Sequence, residues 1–285
     1  MFLTRIAKVS LAFGIVIAMA DSASATLIAY YALDETTTSI GATVADTSGA
    51  SPNRDAKVHA DAAGTGPLVG QPPANGGSGF SYTFDSQATN ENYFDTPSLS
   101  NTAANAFFQR DTPLTYAVWL KPTADQFANP TVIGITGNGF DLQLAPASGT
   151  NWALKLAGFN SPAPTLTSTI ATIPSDVWSH VAITKGDTSS GTGAVNFYVN
   201  GALVESGTIG RPAGTPSSGR VLRLFFAASG ISGGYYQGGM DELRLYNEEL
   251  DATTIAGLAG VPEPTAFVLA VFGLVGFANR PRRRM

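Results

Sequence analysis

The chain has 285 residues, of which 13% are charged, with 31 glycines, 17 prolines and no cysteine. The lack of cysteine excludes disulfides, thiolate catalysis and Cys-ligated metal centres, and two histidines are too few for a His-rich metal site. The whole chain has 16 basic and 21 acidic residues, of which six basic and two acidic residues lie in the two ends. Residues 26–260 therefore carry 10 basic and 19 acidic residues, a net charge of −9. This negative charge excludes a nucleic-acid partner.

Residues 1–25 are typical of a secretory signal peptide. Arg5 and Lys8 form a positive n-region, and an almost unbroken apolar run follows them. Ala23 and Ala25 supply the small side chains that signal peptidase requires, so we expect cleavage after Ala25 and export of the remainder. The alternative is a buried N-terminal helix.

Residues 26–260 are predicted to form a succession of short strands. Apolar and polar residues alternate in segments bounded by Gly, Asn and Pro, as in strands that bury one side. The predicted strands are 27–33, 80–84, 114–120, 132–135, 140–144, 152–156, 181–183, 195–199, 221–226 and 240–246. Because strands do not alternate with helices, we expect two stacked antiparallel sheets.

Two local patterns are more specific. Asn200-Gly201 lies between two alternating runs and predicts a tight hairpin turn. Residues 250–258 predict one short helix, with Asp251 near its start and Gly260 past its end. The Gly-, Pro- and Ser-rich segments 47–79 and 207–219 are predicted to be surface loops.

Residues 261–285 form a three-part tail. Val261, Pro262, Glu263 and Pro264 precede the apolar stretch 265–279, and Arg280, Arg282, Arg283 and Arg284 follow it. Fifteen helical residues span about 22 Å, which is short for a bilayer core of ~30 Å but sufficient with local thinning. The arginines would remain cytoplasmic and keep the body outside.

This tail resembles the PEP-CTERM sorting signal, in which a Pro-Glu-Pro motif, a short transmembrane helix and a basic end occur in that order. The resemblance implies processing by an exosortase near 262–264, after transient anchoring in the inner membrane. It also implies the envelope or extracellular matrix of a Gram-negative-type bacterium. The alternative is a plain membrane anchor with an accidental motif.

The body resembles the laminin-G-like (LamG) group of concanavalin A-like jelly rolls. The segments that carry the resemblance, in the family's order, are 27–35, 44–49, 80–85, 115–122, 177–184, 196–204 and 238–247. It implies an all-β, two-sheet antiparallel jelly-roll sandwich over residues 26–260, between the signal helix and the tail. Ser179 stands where the family often has a second histidine, so no catalytic role is placed there.

The resemblance also implies a structural calcium site. In related jelly rolls an aspartate that opens the last strand binds calcium together with main-chain carbonyls, which are the hard oxygen ligands that calcium prefers. Asp241 matches that position, and Asp34 on the first strand is a second candidate ligand. The alternative is a pair of hydrogen-bonded or solvated acids at strand ends.

Aromatic residues in Gly- and Asn-rich segments are the candidates for ligand binding. They are Tyr93, Phe94, Tyr235 and Tyr236. Trp119, Trp152 and Trp178 are also able to stack on sugars, although packing in the core or at its edge is the more common role of such residues.

No catalytic constellation is expected. Glycosidases need two carboxylates at a fixed spacing, and the E-x-D-x-E type of pattern is absent. Asp141 is a lone acid on a predicted strand, and Glu248 and Glu249 are predicted to be solvated in a turn. His180 is predicted to be a structural hydrogen-bonding residue, and His59 lies in a segment without a nucleophile motif.

The sequence therefore predicts an exported, non-enzymatic surface or matrix module that binds an extracellular polysaccharide or a surface protein. Its processing partners would be signal peptidase and an exosortase. The alternatives are a glycan-active hydrolase with a scattered acid pair and a purely structural surface protein, because this fold serves all three purposes.

Overall fold

A computed structural model describes most of the body of the chain. The described residues are 26–36, 39–59, 67–74, 79–84, 93–96, 111–126, 129–135, 139–158, 164–213, 222–224 and 234–260. Within these ranges the chain forms seventeen strands and one short helix, so the all-β prediction is confirmed.

The strands are numbered in chain order. They are β1 (Leu27–Tyr31), β2 (Thr43–Val44), β3 (Ala56–His59), β4 (Leu68–Gln71), β5 (Ser81–Phe84), β6 (Tyr93–Asp95), β7 (Leu114–Pro122), β8 (Pro130–Ile135), β9 (Phe140–Pro146), β10 (Asn151–Gly158), β11 (Thr165–Pro174), β12 (Ser179–Lys185), β13 (Thr192–Val199), β14 (Ala202–Gly210), β15 (Leu222–Leu224), β16 (Gly234–Tyr235) and β17 (Gly238–Tyr246). The helix α1 (Ala252–Leu258) follows them.

The strands form two sheets. Sheet I has eight strands in the order β14-β13-β12-β7-β17-β5-β4, with β1 beside β17. Sheet II has nine strands in the order β11-β10-β9-β8-β15-β6-β3-β2, with β16 beside β8. The described pairs are antiparallel except for β16 with β8. The predicted two-sheet antiparallel sandwich is therefore confirmed.

Strand β17 joins the beginning and the end of the body. One of its edges pairs with β7 along its length, while the other pairs first with β5 and then with β1. Glu242 has a φ of 53°, and the register with β7 shifts between Asp241 and Arg244. This bulge lets one strand serve two neighbours on the same edge.

The hydrophobic core lies between the sheets as one continuous cluster. Val118 and Leu120 of sheet I and Leu142 and Leu144 of sheet II belong to it, and all four are completely buried. Burial of each large apolar side chain contributes about 1.5–3 kcal/mol. In a chain without cysteine, this burial is the main stabilising contribution.

The helix α1 packs on the outer face of sheet I. Leu250 and Ile255 contact Ala117 and Ala182, which point away from the main core. Oδ1 of Asp251 accepts a hydrogen bond from the backbone N–H of Thr254 at 2.7 Å and so caps the helix. The predicted helix and its capping residue are confirmed.

The predicted hairpin is also confirmed. Asn200 and Gly201 connect β13 to β14 with φ angles of 49° and 78°. Positive φ at both central residues is the geometry of the type I′ turn, which Asn-Gly favours.

The predicted surface loops were partly wrong. Strands β3 and β4 lie within 47–79, and β14 continues to Gly210 inside 207–219. Strand β11 was not predicted, because its Ser- and Thr-rich sequence forms an irregular edge strand whose pairing with β10 shifts register. Such an edge buries too few side chains to show a clear period of two.

Candidate ligand-binding face

The outer face of sheet II carries a compact group of polar and aromatic side chains. Val58 of β3 and Phe94 of β6 face each other in the register and belong to the core. Because strand side chains alternate between the two faces, the residues flanking them point outward. These outward residues, which we call the platform, are Lys57, His59, Tyr93 and Asp95.

The platform combines parallel rings with a carboxylate. The rings of His59 and Tyr93 are stacked, with centroids 4.8 Å apart and planes 6° apart. Nε2 of His59 lies in ion-pairing contact with Oδ1 of Asp95, and these two side chains are 39% and 20% exposed. Exposed rings provide apolar faces for sugar C–H groups, and a carboxylate accepts hydrogen bonds from hydroxyls. The arrangement is therefore suited to binding a saccharide.

Polar side chains on β8 and β9 are buried on this outer face, and the partly exposed Lys155 of β10 lies opposite Gln143 in the register. Asp141 and Gln143 are 0% and 1% exposed, although they alternate with core residues of β9. Nε2 of Gln143 donates a hydrogen bond to Oγ1 of Thr131 at 3.3 Å. Nζ of Lys155 donates to Oδ1 of Asn129 at 3.0 Å. Sheet II thus carries a second cluster of polar side chains. It lies on β8, β9 and β10, on the same outer face as the platform.

Asp141 is the most perturbed acid on this face. Its Oδ1 accepts a hydrogen bond from the backbone N–H of Ile135 at 2.9 Å, whereas Oδ2 has no partner within the described chain. Burial raises the pKa of Asp141 to about 7, against the opposing effects of the Ile135 N–H and the Lys155 charge. The side chain therefore changes its charge near neutral pH.

A paired-carboxylate site around Asp141 is not supported by the described residues. The charged group that influences the pKa of Asp141 is the Lys155 cation rather than a second acid. Glu248 accepts a hydrogen bond from the N–H of Thr26 at 2.6 Å, and Glu249 accepts one from Nδ2 of Asn196 at 3.0 Å. These two acids fasten the segment after β17, and Glu249 is exposed to solvent while Glu248 is partly exposed. The prediction that they lie in a solvated turn is therefore confirmed.

Asp241 and Asp34 each accept a hydrogen bond from a different backbone N–H group. Oδ2 of Asp241 accepts the N–H of Ala74 at 2.8 Å, and Oδ1 of Asp34 accepts the N–H of Phe80 at 2.6 Å. The pKa of Asp241 is raised to about 7, mainly by burial and also by the negative charges of Glu242 and Asp34. Across the described ranges, no three acidic or histidine side chains cluster closely enough to hold a metal ion. A calcium ion at Asp241 would therefore need main-chain oxygens among its ligands.

The predicted ligand-binding aromatics lie in different environments. Tyr93 is part of the platform, whereas Phe94 is completely buried and packs edge-on against Tyr82 and Phe84. Tyr235 contributes its backbone to β16, and Tyr236 is completely buried, with its hydroxyl donating to the carbonyl of Gly239 at 2.7 Å. The buried rings of Phe94 and Tyr236 are core residues, so placing them at a ligand site was wrong.

The three tryptophans lie away from the platform. Trp152 is 5% exposed, and its Nε1 donates to the carbonyl of Thr123 at 3.0 Å. Trp178 covers Gly239, where a Cβ would lie 2.8 Å from the indole ring. Trp119 packs edge-on against His180 with ring centroids 5.5 Å apart. These contacts give each tryptophan a packing role.

The two histidines differ from their predicted roles. His180 is 1% exposed, neither of its ring nitrogens has a hydrogen-bond partner in the described chain, and burial lowers its pKa to about 4. Its ring is therefore a neutral packing group, whereas its backbone N–H donates to Oδ1 of Asn200 at 2.9 Å and its carbonyl accepts the Asn200 N–H at 2.7 Å. His59 lies on the regular strand β3, not in an irregular segment.

The two ends of the chain lie outside the described residues. This applies to Ala23 and Ala25 of the signal peptide, and to the VPEP motif, apolar stretch and arginines of 261–285. Within the described part of the chain, no helix has the length and hydropathy of a membrane span. The predictions for both ends stay predictions.

The ligand-binding residues predicted from the sequence include Tyr93 but not Lys57, His59 or Asp95 of the platform. Alternation in 56–59 and 93–95 would have placed Lys57, His59 and Asp95 on outward faces. It would not have paired β3 with β6, because nothing local specifies which strands become neighbours.

Comparisons with known proteins agree with this fold. A family model described as the concanavalin A-like lectin/glucanases superfamily matches residues 88–256, more than half of the chain. No curated protein sequence matches the chain.

Several solved structures are similar to the chain. Domain 4 of AbnA, a GH43 extracellular arabinanase from Geobacillus stearothermophilus solved with arabinotriose, has a TM-score of 0.56 at 20% identity, covering 82% of this chain and 98% of that one. The binding domain of Paraclostridial Mosquitocidal Protein 1 has a TM-score of 0.56 at 14% identity, covering 82% and 52%. The binding domain of botulinum neurotoxin DC with rat synaptotagmin II has a TM-score of 0.52 at 13% identity, covering 82% and 51%. The chain thus spans about half of the toxin chains, and at these identities the likeness shows the fold.

Proposed function

Because the chain belongs to the concanavalin A-like lectin/glucanases superfamily, we propose that it is an exported surface module that binds carbohydrate through the platform on sheet II. The observation that carries this proposal is the stacked pair of His59 and Tyr93 beside Asp95 on an accessible face. The arabinotriose complex of the similar arabinanase domain supports a saccharide as the ligand class.

Export and sorting belong to the same proposal. The signal peptide of 1–25 would direct secretion, and the PEP-CTERM-like tail of 261–285 would hold the protein in the inner membrane until an exosortase acts on it. The mature protein would then reside in the outer envelope or the extracellular matrix, where polysaccharide is available. This location fits adhesion or organisation of a biofilm matrix.

The proposed binding is tested by exposing the purified protein to a glycan array and measuring the affinity of each hit. Replacing Tyr93 by alanine removes the ring that stacks on His59, and loss of such an aromatic anchor costs about 2 kcal/mol, or roughly thirtyfold in affinity. Phe80→Ala is the matched control, because Phe80 is an aromatic side chain 39% exposed outside the platform. Equal loss in both variants, or no glycan hit at all, would overturn the proposal.

Binding without catalysis is proposed because Asp141 has a cation rather than a second carboxylate as its charged neighbour. The rival is a hydrolase with a scattered acid pair. Assays of product release from β-glucans and arabinans distinguish the two functions. Turnover that disappears in Asp141→Asn would establish the rival instead.

A protein ligand is the second candidate. It is favoured by the similar neurotoxin DC binding domain, which was solved with synaptotagmin II. If the glycan array is negative and Tyr93→Ala weakens attachment of cells to a protein-coated surface, the platform binds protein.

A structural calcium ion at Asp241 is also proposed, with Asp34 as a further ligand. Two nearby carboxylates suit the preference of calcium for oxygen ligands, and a cation would offset the charge of the buried Asp241. It would stabilise the start of β17 against the segments that hold Ala74 and Asp34.

A further inference from the structure

The described body ends on the side of sheet I that faces away from sheet II. Helix α1 lies on this outer face through Leu250 and Ile255. The described chain stops at Gly260, two residues after α1. The last described residue therefore lies on this side of the body.

The platform lies on the opposite outer face of the sandwich. Helix α1 covers the middle strands of sheet I through Ala117 of β7 and Ala182 of β12, and it also contacts the edge strand β14. The N–H of Ile170 in β11 donates to Glu205 in β14 at 2.9 Å, so the β11 edge of sheet II lies beneath β14. The platform strands β3 and β6 lie toward the other edge of sheet II. The platform and α1 thus lie on opposite outer faces of the sandwich.

The linker is too short to overcome this separation. Stacked sheets lie ~10 Å apart and a packed helix adds ~10 Å, so at least about 20 Å of protein separates the platform from the outer side of α1. Four residues, 261–264, reach at most about 14 Å when fully extended. The platform therefore cannot face the bilayer while the tail spans it.

We infer that the anchored protein is held with α1 toward the membrane and with the platform directed away from it, toward the extracellular polysaccharide. This inference rests on the proposed function, since it needs both the membrane-spanning tail and the platform. The exposed residues of α1 include Thr253, Thr254 and Gly257, and the last helical turn has no basic residue. The helix therefore lacks the cations that would bind anionic headgroups, and the short tether sets the orientation.

The absence of native cysteine permits a direct test. Gly257→Cys places a thiol on α1, where a Cβ meets no atom within 4 Å. Lys57→Cys places one on the exposed platform strand β3. Each full-length variant is expressed in cells without exosortase, so that residues 261–285 stay attached. Its reaction rate with a bulky, membrane-impermeant maleimide is measured in spheroplasts and again after detergent solubilisation.

The expected result is that Gly257→Cys reacts several-fold more slowly in spheroplasts than in detergent, whereas Lys57→Cys reacts at the same rate in both. If both variants sediment with membranes but show the same rate ratio, the orientation is wrong while the anchor stands. If neither sediments with membranes, the anchor of the proposed function is wrong, and the inference fails with it.

Discussion

Replacing Asp141 by asparagine removes a buried negative charge while keeping the size of the side chain. The Oδ1 atom that accepts the Ile135 N–H at 2.9 Å is also retained. The change therefore tests the electrostatic state of the buried polar group on sheet II with little change in packing. We expect it to alter the pH dependence of stability rather than the fold.

The magnitude follows from the pKa of Asp141, which rises from its usual 3.8 to about 7 on folding. As pH increases from about 4 to 7, the unfolded chain loses this proton first, so the wild-type protein loses stability over that window. At ~1.4 kcal/mol per pH unit the loss amounts to about 4 kcal/mol, and it is complete above pH 7. The variant lacks this loss. Because Oδ2 of Asp141 already has no partner within the described chain, the amide nitrogen that replaces it shifts stability by an amount that does not depend on pH.

The assay is urea unfolding of wild type and Asp141→Asn across this pH range. The difference between their unfolding free energies should move by about 4 kcal/mol in favour of the variant from acidic to slightly alkaline pH. Asp125→Asn, which neutralises an exposed carboxylate, is the control and should produce no such change. Parallel pH profiles for wild type and Asp141→Asn would refute the buried, raised-pKa state.

Three further predictions concern stability. Glu205→Gln should weaken the link between β14 and β11, because the Glu205 carboxylate accepts the Ile170 N–H and its pKa is lowered to about 2, chiefly by the hydroxyl of Ser168. The difference from wild type in urea unfolding should be at most about 1 kcal/mol near neutral pH and vanish as pH falls through about 2. Gly238→Ala should lower Tm sharply, since its φ is 134° and a Cβ would lie 2.2 Å from the carbonyl oxygen of Lys121; an unchanged Tm would contradict this backbone geometry. Excess calcium should raise the Tm of wild type relative to chelator and leave that of Asp241→Asn unchanged, because a ligand specific for the native state stabilises it. An equal rise in both proteins would remove Asp241 as a calcium ligand.

The candidate site shows how much of a binding surface local sequence patterns can predict. Tyr93 and the neighbouring Phe94 were both predicted as ligand-binding residues from their loop-like sequence context, and Phe94 proved to be a core residue. A one-residue step along a strand reverses the face on which a side chain lies. Alternation of apolar and polar residues gives the period of two but does not say which of the two sets of side chains faces inward. In a three-residue strand such as β6 the period itself is barely visible.

Local sequence by itself determined the all-β class, most strands, the Asn200-Gly201 hairpin and the Asp251 cap, because each depends on residues within a few positions of one another. Only the tertiary structure brought His59 beside Tyr93 and buried Asp141 on a face that points away from the core. Strand partners are selected by the packing of both sheets at once, and a pKa depends on what surrounds a side chain in space. Neither quantity is contained in the neighbouring letters of the sequence.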